Sequence, residues 1–339
     1  MKTKRLIPIA LCMTLVLAAC GGEEGSTSTT SAERAATTTT VAEATTTSTA
    51  TTTAATGGRT FVGADGVETT ITDTSRIVSL NGDITEIIYE LGLGDDVVAV
   101  DVTTTYPEEA AALNDSGSTV GFAQQLTAEA VLSFEPTLVI GDTQVAPVEA
   151  IEQLREAGVP VVIIEYQTTL DGVEAKIDQI SEVLGVDEQG AQLAERVMGE
   201  IDDAVTTAES VADKPRVAFI YLRGPQVIFL FGAGMPTQAM IEGAGAVDAG
   251  AESGVLGPAP LTPEALIAAA PDVIVLPQGG LEAMGGVEAF EAIPGVSDTP
   301  AADTQRYLIY DEAYFFNLGP RTGQALMGFV QDLHPELAG

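Results

Sequence analysis

The stretch LTAEAVLSFEPTLVI, residues 126–140, returns later in the chain as LTPEALIAAAPDVIV, residues 261–275. Leucine, threonine, glutamate, alanine and proline occupy the same offsets in both copies, and each copy ends in an apolar run. The threonine predicts a helix N-cap, the proline predicts the end of the helix, and the apolar run predicts a strand. A helix followed by a strand, present twice in this form, indicates two similar α/β lobes.

The segments around both copies alternate short apolar runs with helical patterns, as parallel βαβ units do. Between Asp171 and Ala212 only a helical periodicity is present, with Gly185 as the expected break. A hairpin about the turn pair Asp65-Gly66 opens the folded part. Strands are predicted at 76–80, 96–100, 137–140, 159–165, 216–221, 226–231, 272–276 and 306–310, and helices at 84–91, 127–135, 147–157, 236–243, 262–270, 286–292 and 320–333. The expected fold is α/β, with two parallel-sheet lobes joined by a long bridging helix.

Helix ends carry their own signals. Thr127 and Thr262 are placed to be N-caps, and Pro263 falls at the first helical position, where its missing N–H costs nothing. Asp83 and Glu86 predict a capping box for the first helix of the first lobe. Two lobes on a helical bridge enclose a cleft, and ligands favour both such interfaces and the carboxyl ends of parallel strands.

The beginning of the chain predicts export. Lys2, Lys4 and Arg5 precede an apolar stretch at 6–17 and a small-residue cleavage point before Cys20. LAAC followed by two glycines resembles a bacterial lipoprotein processing site, which predicts that acyl chains on Cys20 anchor the protein on the extracytoplasmic face of the cell membrane. The segments so predicted are a signal peptide at 1–19, a disordered Thr/Ala-rich tether at 20–59, an N-terminal lobe at 60–168, a bridging helical segment at 169–213 and a C-terminal lobe at 214–339.

The chain is strongly acidic, with 14 Lys and Arg against 49 Asp and Glu and a formal net charge of -35. Such a surface repels nucleic acid, and we expect a soluble monomer. Enzymatic chemistry finds little support in the sequence, since His334 is the single histidine and neither a zinc spacing of His and Cys nor a GxxxxGK loop is present. We therefore expect a binding protein without catalytic residues.

Four motifs suggest what is bound: GDITEIIYELG at 82–92, VGFAQQLTAEAVL at 120–132, FIYLRGPQVIFLFG at 219–232 and GPRT at 319–322. Together with the export signal and the repeat, they resemble the metal-chelate substrate-binding lipoproteins of ABC importers, and the haem-binding branch most closely. The resemblance implies capture of haem, a ferric siderophore or cobalamin between two lobes joined by a rigid helix. The ligand is then transported cargo and not a catalytic cofactor.

The same resemblance implies a docking role for the repeat. In that family an acidic residue on each lobe docks with arginines of the permease, and Glu129 and Glu264 match those positions. A glutamate in a first helical turn also merely complements the helix dipole, but the matched pair favours docking. A surface-tethered sensor or adhesion module on the same fold is the alternative from another class.

The sequence departs from the resemblance at the residue expected to coordinate iron. Haem-binding relatives often hold ferric iron through a tyrosine phenolate in the stretch that corresponds to VGFAQQL, where this chain has Phe122. One alternative is that Tyr106, Tyr314 or Tyr310 coordinates the iron instead. The other is that the cleft binds a chelate that needs no protein donor, such as a siderophore or cobalamin.

The remaining ligand candidates are arginines and phenylalanines. Arg223 in YLRG and Arg321 in GPRT suit the acidic groups of a chelate, or else take part in structural ion pairs. Phenylalanines suit the face of a macrocycle, although Phe229 and Phe231 fit an ordinary core equally well. The aromatic candidates are Phe122, Phe229, Phe231, Phe315 and Phe316.

Overall fold

The computed structural model describes residues 58–338. The predicted signal peptide, Cys20 and the predicted tether as far as residue 57 lie outside the described residues. Within residues 58–338, no helix is both long and apolar enough to cross a membrane.

A hairpin opens the described chain. Its antiparallel strands are β1 (Arg59–Val62) and β2 (Glu68–Ile71), and Gly66 supplies the positive φ of 76° in the predicted turn. The Thr69 hydroxyl donates a 3.1 Å hydrogen bond to the carbonyl of Val161, which fixes the hairpin to the first lobe. β1 begins one residue before the predicted start of that lobe.

The N-terminal lobe is an all-parallel sheet flanked by helices. Its strands are buried runs of Val, Ile and Leu, the pattern expected of strands covered on both faces. They are β3 (Ile77–Ser79), β4 (Val97–Val100), β5 (Leu138–Asp142) and β6 (Val161–Ile164), paired in the order β4-β3-β5-β6. The helices are α1 (Gly82–Glu90), α2 (Glu108–Asp115), α3 (Ala128–Leu132) and α4 (Val148–Glu156).

The capping box predicted for α1 was wrong. Asn81 occupies the N-cap position, so that Asp83 and Glu86 lie inside the helix. Both carboxylates pair with distant cations instead: Asp83 with Lys176, and Glu86 with Arg321. The two carboxylates therefore form long-range ion pairs instead of the predicted local capping box.

The connection between the lobes consists of two helices. α5 (Gly172–Leu184) ends at Gly185, whose φ of 79° is the left-handed conformation that ends helices, and α6 (Asp187–Glu209) follows. α5 packs on α1, β1 and β6 of the first lobe, and α6 packs on both α5 and the last long helix of the second lobe. The predicted break at Gly185 is present, and the bridging helix is thus a helix pair of which α6 is the longer member.

The C-terminal lobe has a mixed sheet. Its strands are β7 (Arg216–Leu222), β8 (Ile228–Phe231), β9 (Val247–Asp248), β10 (Pro258–Pro260), β11 (Val273–Pro277) and β12 (Tyr307–Tyr310). The main order is β10-β8-β7-β11-β12, in which β7, β11 and β12 are parallel. β8 runs antiparallel to β7 because a short loop returns the chain from β7 directly into β8, and β10 pairs antiparallel with β8. The parallel-sheet prediction is confirmed for the centre of this lobe, and the antiparallel edge is an addition to it.

Eight α-helices accompany this second sheet. They are α7 (Pro236–Gly243), α8 (Ala249–Glu252), α9 (Pro263–Ala269), α10 (Gln278–Met284), α11 (Val287–Glu291), α12 (Pro300–Thr304), α13 (Glu312–Phe316) and α14 (Thr322–Leu333). Short 3-10 helices occur at Gly94–Asp96, Ala123–Gln125, Val296–Asp298 and Pro335–Ala338.

One hydrophobic core is shared by the two lobes. It contains Ile77 of the first sheet, Ile177 and Ile201 of the helix pair, and Phe219 of the second sheet, all buried. The opposite face of each sheet has its own cluster, the first including Val131 of α3 and the second built in the same way under α9. The continuous core holds the lobes at a defined distance and leaves a cleft on one side.

Candidate functional site

A cleft of about 490 Å³ lies between the two lobes. Its walls are formed by residues that directly follow the strands of both sheets, the usual position of ligand sites in such folds. The N-terminal wall consists of Asn81, Val102, Thr103, Thr105, Gln124, Gln144, Tyr166 and Thr168. The C-terminal wall consists of Arg223, Gly234, Met235, Pro258, Asp311, Glu312, Ala313, Phe316 and Asn317.

Buried carboxylates support the N-terminal wall from below. The Asn81 side chain donates a 2.8 Å hydrogen bond to Asp142, and the Thr103 hydroxyl donates a 2.6 Å hydrogen bond to Asp101. Burial raises the pKa of Asp101 to about 6, against the hydrogen bonds from Thr103. Burial, and next the charge of Asp83, also raise the pKa of Asp142. The amide and hydroxyl that face the cleft are therefore oriented by acids that do not reach it.

Lys176 connects this region to the rest of the molecule. It is 2% exposed, and its ammonium pairs with Asp83, which is 3% exposed. The same ammonium donates a 2.7 Å hydrogen bond to the carbonyl of Leu318 in the C-terminal lobe. One side chain of α5 thus holds α1 and the loop before α14 together.

Arg223 dominates the C-terminal wall. Its guanidinium lies 4.7 Å from the centre of the Phe122 ring, so that it contacts the N-terminal lobe across the cleft. Glu312 is its neighbour, and burial raises the pKa of this carboxyl while the charge of Arg223 opposes the increase. The predicted residues Phe122 and Arg223 are therefore in contact, and Arg223, which lines the cleft, is available to an anionic group there.

Arg321 has a different position from the one expected. It makes two hydrogen bonds of 2.8 and 3.0 Å with Glu86, and its guanidinium lies 3.7 Å from the ring centre of Tyr106 and 5.1 Å from that of Tyr314. Burial raises the pKa of Glu86, and its hydrogen bonds with Arg321 oppose that increase. Among the described residues, none of these four lines the cleft. Arg321 therefore forms a structural ion pair, which was the alternative to a role in ligand binding. This ion pair joins the two lobes.

Most of the predicted aromatic residues pack in the second lobe. Phe231 and Phe315 are buried and pack against Phe219, Phe231 with a tilted ring 5.2 Å away and Phe315 with a stacked ring 5.8 Å away. Phe229 is half-buried and packs against the same core. Tyr310 donates a 2.6 Å hydrogen bond to Asp332, outside the cleft. Of the phenylalanines in this lobe that were expected at the ligand, Phe316 lines the cleft.

Tyr166 is a cleft residue that the sequence analysis missed. It lies two residues after β6 and is the one tyrosine of residues 58–338 that lines the cleft. Burial, followed by the charges of Asp83 and Asp142, raises the pKa of its phenol. Its place after the carboxyl end of a parallel strand was the signal that could have found it.

The repeated unit forms matching structures in the two lobes. The hydroxyls of Thr127 and Thr262 accept hydrogen bonds of 3.3 and 3.2 Å from the amides of Ala130 and Ala265, so both predicted N-caps are confirmed. The residue before each proline is in the left-handed region, with φ of 48° at Glu135 and 42° at Ala270. Ala270 is the C-cap of α9, whereas α3 already ends at Leu132, three residues before Glu135 and earlier than the predicted end at 135.

An arginine holds the other end of each repeated helix. Arg76, just before β3, donates hydrogen bonds to the carbonyls of Phe134 and Glu135 after α3. Arg216, at the start of β7, donates two hydrogen bonds to the carbonyl of Ala269 at the end of α9. Cations at helix C-termini are favourable. Both short helices are therefore fixed at both ends, and Glu129 and Glu264 are exposed in their first turns.

No group of three or more His, Cys, Asp and Glu residues between residues 58 and 338 is arranged to hold a metal ion. The Tyr166 phenol in the cleft wall is a single hard oxygen donor of the kind that suits Fe(III).

Comparison with known proteins identifies a family. The profile described as periplasmic binding protein matches residues 77–314. Among solved structures, the periplasmic haem-binding protein RhuT from Roseiflexus sp. RS-1 is 42% identical, with a TM-score of 0.75, covering 78% of this chain and 100% of that one. The haem-binding protein HmuT is 35% identical, with a TM-score of 0.75, covering 81% and 90%. The resemblance inferred from the motifs is confirmed.

Two curated relatives give a broader view of ligands. A protein of Bacillus subtilis (strain 168), named an uncharacterised ABC transporter substrate-binding lipoprotein, is 28% identical over 267 residues, covering 78% of this chain and 81% of that protein. A vitamin B12-binding protein of Vibrio campbellii is 30% identical over 170 residues, which are 47% of this chain and 59% of that protein. Haem and corrinoid binders thus both occur among the relatives.

Proposed function

Because the chain belongs to the periplasmic binding protein family, we propose that it is the substrate-binding component of an ABC importer. It captures haem in the cleft between its lobes and delivers it to a membrane permease. The observation that carries this proposal is a cleft whose walls combine an arginine, a phenol and a phenylalanine: Arg223, Tyr166 and Phe316. A family role in transport also agrees with the absence of catalytic motifs from the sequence.

The chemistry of these groups suits haem. A flat macrocycle packs against the rings of Phe316 and Phe122. The guanidinium of Arg223 binds a propionate through two parallel hydrogen bonds. Tyr166 supplies a hard oxygen donor for Fe(III), and its raised pKa opposes formation of the phenolate, so that iron must displace the phenol proton on binding. The volume of about 490 Å³ is within the usual range for small-molecule sites.

A corrinoid is the second candidate. Amide and hydroxyl side chains are the commonest polar groups of the cleft walls, as in Asn81, Gln124, Gln144 and Asn317. A ligand rimmed by amides, such as cobalamin, can exchange hydrogen bonds with such walls without a protein donor to its metal. The vitamin B12-binding relative supports this alternative.

The location and partners follow from the same role. Acyl chains on Cys20 would hold the protein on the extracytoplasmic face of the cell membrane, in keeping with the Bacillus subtilis relative named a lipoprotein. The exposed Glu129 and Glu264 would contact arginines of the permease, one from each lobe. The protein works as a monomer with no nucleic-acid partner, since its charge of -35 repels both another copy and phosphates.

A hemin titration tests the cargo. A fragment beginning at Gly58 should give a saturable shift of the Soret band at micromolar hemin. Tyr166→Phe should change the position of the band and weaken binding about tenfold or more, since about 1.4 kcal/mol corresponds to one decade. Tyr307→Phe is the matched control, because that phenol is bonded to Glu291 away from the cleft.

Three other results of the titration would change the proposed iron ligand or the proposed cargo. A loss of the band shift in Tyr106→Phe or Tyr314→Phe, with Tyr166→Phe unaffected, would return iron coordination to the residues first expected. No shift with hemin, together with saturable binding of cyanocobalamin, would replace haem by a corrinoid. Binding of neither compound would overturn the proposed cargo class.

A further inference from the structure

Each repeated helix displays an exposed aliphatic side chain one turn after its glutamate. Leu132 in α3 is 36% exposed and Ile267 in α9 is 46% exposed. Residues three positions apart on an α-helix share a face, so Leu132 lies beside Glu129, and Ile267 beside Glu264. Both lobes therefore present a carboxylate and an aliphatic group together at the same place in the repeat.

This exposure is not a side effect of a loosely packed helix. The residue just before each aliphatic group, Val131 in α3 and Leu266 in α9, is completely buried at 0% exposure. The helices thus have well-defined inner faces, and Leu132 and Ile267 lie outside them. Threonine caps and arginine contacts hold both helices at their ends. The outward-facing pair is presented rigidly in each lobe.

Single exposed aliphatic residues are common on soluble proteins and need no explanation. Two of them at equivalent positions of an internal repeat, each beside an exposed carboxylate, are a different case. A partner with two related halves would meet the same chemistry twice, which fits a membrane permease better than it fits an asymmetric partner. A chain of net charge -35 also favours a partner with cationic groups at the contact.

We propose that each repeated helix is a two-part contact for the permease, in which the glutamate pairs with a cationic side chain and Leu132 or Ile267 enters an apolar recess beside it. This inference rests on the proposed transport function and extends it. The carboxylates steer the encounter and are screened by salt, whereas the aliphatic groups supply an attraction that salt does not screen. Anionic lipid and a second copy of the chain are poor alternatives, because both would repel the glutamates.

The test uses the full chain and the permease whose ATP hydrolysis is stimulated by haem-loaded wild-type protein, reconstituted in nanodiscs. Binding is measured at about 0.05 M and about 0.5 M NaCl, where the screening length differs roughly threefold. Leu132→Gln with Ile267→Gln should weaken binding about tenfold at both salt concentrations, since part of two aliphatic side chains is no longer buried. Glu129→Gln with Glu264→Gln should weaken binding strongly at low salt and much less at high salt.

Val62→Gln with Ile309→Gln is the matched control, since these aliphatic residues are 60% and 42% exposed outside the repeat, and it should bind as wild type does. Equal binding by the Leu132/Ile267 variant and wild type would overturn the inference while leaving glutamate docking in place. Full binding by the glutamate variant as well would overturn docking itself. Equal binding to nanodiscs without permease would assign the surface to lipid and also overturn the inference.

Discussion

At the scale of single residues, Asp101 shows the free-energy cost of burying a carboxylate beneath the cleft. It is 1% exposed, and it accepts hydrogen bonds from both the amide and the hydroxyl of Thr103. These bonds favour the carboxylate, but burial outweighs them and raises its pKa to about 6. The fold therefore prefers the protonated form of Asp101, and at neutral pH it holds an ionised, buried carboxylate that orients Thr103, a residue of the cleft wall.

Replacement of Asp101 should reveal this cost as a pH dependence. The stabilising contribution of the protonated group is complete below about pH 4 and is lost as the pH rises through about 6. Asp101→Asn removes that dependence. The difference in unfolding free energy, variant minus wild type, should rise by about 2–3 kcal/mol between about pH 4 and about pH 8. Guanidinium unfolding followed by circular dichroism measures it, and a difference that stays flat with pH would contradict the assignment.

Individual site residues were predicted unevenly. Phe122 and Arg223 belong to motifs of the sequence, and they do meet at the cleft. Tyr166 belongs to no such motif and is found only through its position after a strand. The Glu86–Arg321 pair joins residues 235 positions apart, a contact that no local pattern encodes. Local signals therefore selected candidate residues, while tertiary pairing decided which of them line the cleft.

At the scale of elements, the repeated helix is the clearest case of sequence determining structure. Threonine and the apolar run specified its start and the next strand in both lobes, and proline specified its end in α9. In the first lobe the helix was predicted to reach residue 135, but α3 ends at Leu132. The buried strands were likewise predictable, because continuous runs of Val, Ile and Leu have few other uses. α2 and β10 were missed, since α2 buries only Ala110 and β10 is the short segment Pro-Ala-Pro. Elements that bury little or contain proline leave a weak periodic signal.

The two N-caps should be energetically equivalent. Thr127→Ala and Thr262→Ala each remove one hydrogen bond to a helical amide, and each should lower the unfolding free energy by about 1 kcal/mol. Thr→Ser at either position keeps the hydroxyl and should cost much less. Guanidinium midpoints of the four variants give the comparison. If one alanine variant kept the midpoint of the wild type and the other did not, the two N-caps would contribute differently to stability.

At the scale of the whole molecule, buried charges hold the lobes in register. Lys176 of α5 reaches Asp83 in one lobe and the Leu318 carbonyl in the other, and Arg321 joins Glu86 across the same boundary. Because the shared core alone is non-directional, such pairs fix one arrangement of the lobes among several that would bury similar area. Because the helix pair α5 and α6 packs on both lobes, we expect it to resist hinge bending and any closure of the cleft to be small.

Replacing Lys176 alone should lower the unfolding free energy far more than replacing both Lys176 and Asp83. Lys176→Met leaves the Asp83 carboxylate buried without a cation and should cost about 3–5 kcal/mol, whereas Lys176→Met with Asp83→Leu should recover most of that loss. Arg196→Met is the control, because its pair with Glu90 is partly exposed and worth less than about 1 kcal/mol. Thermal and guanidinium unfolding by circular dichroism suit a chain without tryptophan. A cost below about 1 kcal/mol for Lys176→Met would contradict this role.

The contact between Arg223 and Phe122 has a consequence for the timing of capture. With the guanidinium 4.7 Å from the ring centre, the two lobes already touch at Arg223, so a molecule that binds this guanidinium must first displace it from Phe122. A cation–π contact of about 0.5–2 kcal/mol lowers the fraction of productive encounters by roughly 2- to 30-fold. If the contact re-forms over a seated molecule, it slows escape as well. The residence time of a bound molecule, as well as its shape, then determines whether it is transported.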